Sequence, residues 1–173
     1  NEEKEMNSWI REGTRWQGRG YNLIREFRRL QKRKKTIKKT NPLQMNSEEI
    51  TTALRTLKGY RTGSWQRINL DNKYWVCDKA EFQKVVDTNT INEKKYIIDQ
   101  FDCDNFAFNF KAQVALQFNL NNVGMVIDHS GGHAYCVVIF SNGEAELFEP
   151  QNDRWVSPGE SKSYSFKKGI III

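Results

Sequence analysis

No stretch of this 173-residue chain approaches the ~18 consecutive apolar residues of a membrane-spanning helix, so no span is expected. Cysteine is scarce: Cys77, Cys103 and Cys136 cannot all pair, and the odd count points to free thiols rather than a disulfide scaffold. Histidine is scarcer, with only His129 and His133. Zinc-finger spacing, an aromatic RNA-binding motif and a helix-turn-helix signature are all missing, which leaves charge as the sole argument for nucleic acid. Position 1 is Asn1 and no apolar secretory segment follows. The expectation is therefore a removed leader or a preceding region, with the compartment open and a secreted or virion-associated component among the options.

What is present is 38% hydrophobic and 12% aromatic, enough for one domain with a real core plus an appendage. The net charge of +6 is uneven: residues 1–41 carry +8 and the remainder −2. This divides the chain into a basic arm, 1–41, and a domain, 42–173. In the arm, Leu23, Ile24, Phe27 and Leu30 share one helical face, while Arg25, Arg28, Arg29, Lys32, Arg33, Lys34 and Lys35 occupy the others. Such a basic amphipathic helix can neutralise nucleic-acid phosphates or meet an acidic partner. It can equally clamp its apolar stripe onto the domain and leave its charges in water.

Within 42–173, Asn46 and Glu49 form a capping pair for a helix carrying Ile50, Ala53, Leu54 and Leu57, stopped by Gly59. Residues 65–70 and 74–77 are β-prone, and Asp78 with Glu81 caps a second helix facing Phe82, Val85 and Val86 inward. A third helix, from Asp102 to about Phe118, is apolar on several sides and is expected to be buried all round. Strands are expected at 123–128, 134–140 and 144–149, the middle one central because both its faces are apolar. Residues 164–166 and the run Ile170 to Ile173 add strand material. An exposed isoleucine run invites aggregation, so it is expected to be paired in the sheet or covered.

The stretch 98–110 sets a cysteine where a polar turn becomes that third helix. Asp99 or Asp102 can cap it, and Cys103 then sits in the first turn, where orphan N–H groups and the helix dipole favour a thiolate. The plain alternative is a buried, inert cysteine acting as a small hydrophobe. Downstream, His133 opens a strand, and polar residues close the next one; helix cysteine, strand histidine and next-strand polar group is the order of papain-like nucleophilic sites. Two hairpin registers compete for the third member. A two-residue Asn142-Gly143 loop sets His133 opposite Asn152, whereas a three-residue loop with Gly143 left-handed makes Glu149 its diagonal same-face neighbour. Glu149 is preferred, since a carboxylate at the end of a buried face needs a partner, with Asn152 and Gln151 as alternates. Gln100 and the Cys103 N–H are the oxyanion candidates.

The motifs D-C-D-N-F-A, G-G-H-A-Y and F-E-P-Q resemble those of papain-fold cysteine proteases over about residues 65–155. The likeness is closest to the protease domain at the C-terminal end of a fungal agglutinin, and more distant to bacterial transglutaminase-like cysteine proteases. The resemblance implies an α+β, papain-like fold, its central nucleophile helix packed on an antiparallel sheet. It implies Cys103 as nucleophile, His133 as general base and Glu149 as the group holding the imidazole. It also implies calcium at Asp102 and Asp104, two carboxylates beside a thiolate that a hard cation would neutralise. Cys136 departs from the pattern, which often has asparagine there. The resulting expectation is a calcium-dependent cysteine peptidase, or acyl transferase, acting on a peptide or protein substrate. The second expectation is a catalytically silent papain-like fold serving a larger assembly such as a virion, with the basic arm on nucleic acid or an acidic partner.

Overall fold

Capping chemistry written into the sequence starts the first elements of residues 42–173, the part of the chain that the computed structural model describes. The arm residues Arg25, Arg28, Arg29, Lys32, Arg33, Lys34 and Lys35 lie outside the described residues. Strand β1 (Leu43–Asn46) runs directly into helix α1 (Ser47–Leu54). Asn46 Oδ1 accepts from the N–H groups of Glu48 and Glu49, and Glu49 Oε2 accepts from the N–H of Asn46 at 2.7 Å. The reciprocal cap satisfies donors that a first turn leaves orphaned. Strands β2 (Ser64–Ile68) and β3 (Lys73–Val76) follow, then α2 (Lys79–Thr88), whose first turn donates from Glu81 N–H to Asp78 Oδ1 at 2.7 Å. A 3-10 turn (Ile91–Glu93) leads to α3 (Cys103–Phe118). The chain ends in β4 (Val123–Asp128), β5 (His133–Ile139), β6 (Ala145–Glu149), β7 (Arg154–Val156) and β8 (Lys168–Ile172).

Six strands form one sheet in the order β2-β8-β4-β5-β6-β7, and β1 with β3 makes a separate antiparallel ribbon. The expected all-antiparallel sheet is corrected to a mixed one. β8 returns from the end of the chain, inserts between β2 and β4, and pairs parallel with β2 and antiparallel with β4. The cause is the isoleucine run: Ile171 and Ile173 are fully buried, and only an interior strand gives such a segment apolar cover and hydrogen-bond partners on both sides. Residues 164–166 are not strand, because Phe166 takes φ +52 and turns the chain into β8.

The sheet is covered on both faces. On one, Ile50, Ala53 and Leu54 of α1 join Tyr74 and Val76 of the ribbon, Tyr135, Val137 and Ile139 of β5, and Ile171. On the other, α3 lies against β4 and β5. There Phe110 is 4.8 Å from Phe148, Phe82 of α2 meets Phe110 and Phe140 edge-on, and the Cys136 thiol donates to Ala107 O at 3.6 Å. The expectation that α3 is buried all round is also corrected. Phe108 and Leu116 are 62% and 83% exposed, because α3 is the outer layer on its side and only its sheet-facing stripe is covered. No helix among the described residues is long and apolar enough to cross a membrane.

Candidate functional site at the His133 end of the sheet

The β5–β6 hairpin sets the site. Phe140 N–H donates to Glu144 O at 2.9 Å, Gly143 is left-handed at φ +82, and Ile139 pairs with Ala145. This is the three-residue loop, and continuing its register places Glu149 diagonal to His133 on one face. His133 Nε2 stands 2.7 Å from Glu149 Oε2. Glu149 is 2% exposed and also accepts from the Tyr164 hydroxyl at 2.9 Å and from Gln151 N–H at 3.1 Å. An ionised carboxylate only accepts, so facing one the imidazole Nε2 is the donor of this bond. Burial, reinforced by the Glu149 charge, pushes the Tyr164 hydroxyl up to about 12, so it stays a donor. Of the alternates, Gln151 contributes its backbone N–H to Glu149, and Asn152 lies exposed in the turn.

Asp128 builds the turn that delivers His133. It is 1% exposed and directly opposite His133 in the β4–β5 pair. Its Oδ1 accepts from Ser130 N–H, Ser130 Oγ–H and Gly131 N–H, and its Oδ2 from Tyr135 O–H at 3.0 Å and Phe166 N–H at 2.7 Å. Gly131 is required here, because a Cβ would collide with the Ser163 carbonyl. Sequence reasoning missed Asp128 and Tyr164. The signal for the first was D-H-S-G-G, an aspartate followed by a serine and two glycines, which is an Asx-turn pattern. Tyr164 had no local signal, since it reaches Glu149 across 15 residues. His129 sits exposed in the same turn.

Three contacts give the direction of α3 along β5. Ala107 meets Cys136, Lys111 Nζ donates to the carbonyl of Val123 opposite Val138, and Phe110 shares Phe82 with Phe140. Helix and strand therefore run the same way, and Cys103 lies at the His133 end. Cys136 points to α3, while His133, three residues away, points with Tyr135 and Tyr164 to the opposite face. Among the described residues Cys103 makes no hydrogen bond to the ring. Cys103 is nonetheless the one cysteine with solvent exposure. Burial pushes the Cys77 thiol up to about 12 and raises that of Cys136 as well.

Gln100 is exposed in the tight turn Ile97–Phe101 that precedes the helix, closed by paired N–H to O bonds between those two residues. Asp102 accepts from Asp99 N–H at 3.1 Å and its own N–H donates to Asn105 Oδ1, so it works as the helix cap. A hydrogen bond between Asp104 and Asp102 lowers the Asp102 carboxyl and raises that of Asp104. Among the described residues no group of three or more His, Cys, Asp or Glu side chains gathers as a metal centre would.

The model of the ricin-type beta-trefoil lectin C-terminal domain matches residues 45–172. Two solved structures share the fold. The PSL1a-E64 complex has 20% identity and a TM-score of 0.58, over 76% of this chain and 51% of that one. The Polyporus squamosus lectin bound to the human-type influenza-binding epitope Neu5Aca2-6Galb1-4GlcNAc has 21% identity and a TM-score of 0.56, over 76% and 50%. The chain thus spans about half the length of these relatives. No curated protein sequence matches it. These findings overturn the papain-like protease assignment, the α+β papain-like fold with it, and the cysteine peptidase or acyl transferase activity inferred from them. They equally overturn the silent papain-like component of a virion or other assembly, and they lend no support to a peptide substrate or a nucleic-acid partner. The motifs misled because a helix-start cysteine and a strand-start histidine are short patterns that different folds can share. The chain belongs to the ricin-type beta-trefoil lectin C-terminal domain family.

Proposed function

We propose that this chain works in carbohydrate recognition, as the C-terminal domain of a glycan-binding lectin. The family match over residues 45–172 carries the reading, and the structural neighbour bound to Neu5Aca2-6Galb1-4GlcNAc supports it. The test is isothermal titration of the whole chain with that trisaccharide. Saturable heat is expected; a chain that is folded by circular dichroism yet silent at millimolar ligand overturns the reading.

A second reading concerns the rim where Cys103, His133 and Glu149 come to one end of the sheet. A structural neighbour is an E64 complex, and we propose a place for a small ligand of that kind at this rim, with Cys103 as its accessible thiol and the His133 ring, held by Glu149, beside it. Gln100, in the turn just before the helix, would border it. A rise in melting temperature with E64 that disappears in Cys103→Ser and shrinks in His133→Ala is expected; an equal rise in all three chains removes the proposal. Calcium at Asp102 and Asp104 is a further proposal, supported by the adjacency of the two carboxyls at the helix start. A melting temperature identical in calcium chloride and in chelator removes it.

A further inference from the structure

Where the C-terminal end of α3 meets the β1–β3 ribbon, a groove of about 520 Å³ is lined by Pro42, Trp75, Ala115, Asn119, Leu120 and Asn121. Every one of these side chains is uncharged. Tyr74 and Val76 on either side of Trp75 are fully buried, so the pleat turns the indole outward, where it is 44% exposed. Asn121 fixes this wall. Its Oδ1 accepts from Trp75 N–H at 2.6 Å, and its Nδ2 donates to Asp71 Oδ2 at 2.8 Å and to Lys73 O at 3.0 Å. The loop after α3 is thereby tied to the ribbon at the backbone of Trp75. Asn119 closes α3 in the left-handed region at φ +54, with its backbone N–H on Ala115 O at 3.1 Å. Its side-chain amide makes no hydrogen bond among the described residues.

An exposed indole beside an unbonded amide matches the two surfaces of a pyranose ring. The C–H face of the sugar packs on the aromatic face, and an amide both donates to and accepts from hydroxyls. Uncharged walls favour a neutral sugar over an acidic one, since a carboxylate entering the groove would lose water without gaining a counter-charge.

We propose that this groove binds a neutral hexopyranose residue of a glycan, an inference that rests on the carbohydrate-recognition reading above. The probe is Galβ1-4GlcNAc, the neutral part of the neighbour's trisaccharide, titrated calorimetrically into the whole chain, into Trp75→Ala and into Asn119→Gly. The glycine keeps the left-handed backbone unstrained, so this variant folds even where loss of the indole loosens the ribbon. The expected result is binding by the parent, an affinity at least tenfold weaker in Trp75→Ala, and a several-fold loss in Asn119→Gly. Unchanged affinity in Asn119→Gly or in a folded Trp75→Ala overturns the groove and leaves the lectin reading standing. Binding of the sialylated trisaccharide without binding of the disaccharide does the same. A parent that binds neither sugar overturns both.

Discussion

Glu149 holds a buried carboxylate against three donors, the His133 ring, the Tyr164 hydroxyl and the Gln151 N–H. Removing the carboxylate strands all three, and stranded buried donors cost more than the bonds contribute net. Glu149→Ala is expected to lower unfolding free energy by about 3 kcal/mol, and Glu149→Gln, which keeps an acceptor, by about 1 kcal/mol. Urea midpoints at constant slope measure both; equal midpoints for parent and alanine variant would show that water replaces the carboxylate freely. Asp153 is the opposite case, a carboxylate short of partners. It sits at φ +54 with a buried Oδ1 that has no partner, while Oδ2 accepts from Asn92 Nδ2 at 2.6 Å. Burial, with the Asp87 charge adding to it, raises its carboxyl to about 6. The folded state therefore holds this proton more tightly than the unfolded chain. Its contribution is greatest below the ordinary carboxylate range, falls as pH rises toward about 6, and is flat above. Because the group is half-exposed, the screened effect is about 1 kcal/mol. Asp153→Asn should flatten this part of the stability profile and raise the melting temperature above pH 6; a profile identical to the parent's between pH 4 and 6.5 refutes the assignment.

The turn from β4 to β5 shows how an element is fixed by one side chain. Asp128 gathers five donors from Ser130, Gly131, Tyr135 and Phe166, so it organises both the turn and the entry to β8. Asp128→Ala is expected to destabilise by about 3 to 5 kcal/mol, with Asp128→Asn retaining part of the network. A difference under 1 kcal/mol between alanine variant and parent would deny Asp128 that role. Elements like this explain what the sequence made legible. Asn46 with Glu49, Asp78 with Glu81, and the short apolar strand 123–128 are local patterns, and each appears where its residues predict. The hairpin register could be narrowed to two possibilities, and Gly143 at positive φ selects between them. Partners distant in sequence carried no such signal. Nothing near Ile170 says that it pairs with Gln66 and Ile127, and nothing near Tyr164 says that it reaches Glu149. Short motifs were the weakest guide: Cys103 and His133 follow the chain order of a nucleophilic pair, yet the family match over residues 45–172 is to a lectin C-terminal domain and not to a papain-like protease.

At the scale of the whole described domain, the last strand closes the sheet. Among the described residues β8 is the only strand that links β2 to the antiparallel strands β4 to β7, so the sheet is continuous only when β8 is in place. Gly169 permits this insertion, since a Cβ there would collide with the Ile127 carbonyl and the Trp65 ring. Beyond the strand, Ile173 exchanges hydrogen bonds with Ile68 and Leu70, and the Tyr74 hydroxyl donates to its carbonyl at 3.1 Å, tying the ribbon to the same terminus. Two consequences follow in proportion. Ile171→Ala, which opens a cavity in the α1-side core, should cost about 2 to 4 kcal/mol while the chain stays folded. Deleting 170–173 removes partners from both flanking strands at once and exposes two edges, so the truncated chain should lose its cooperative thermal transition and associate on size-exclusion chromatography. A truncated chain that stays monomeric and melts cooperatively within a few degrees of the parent would mean that β2 and β4 are held without it, and that the sheet is assembled from its centre rather than locked by its final strand.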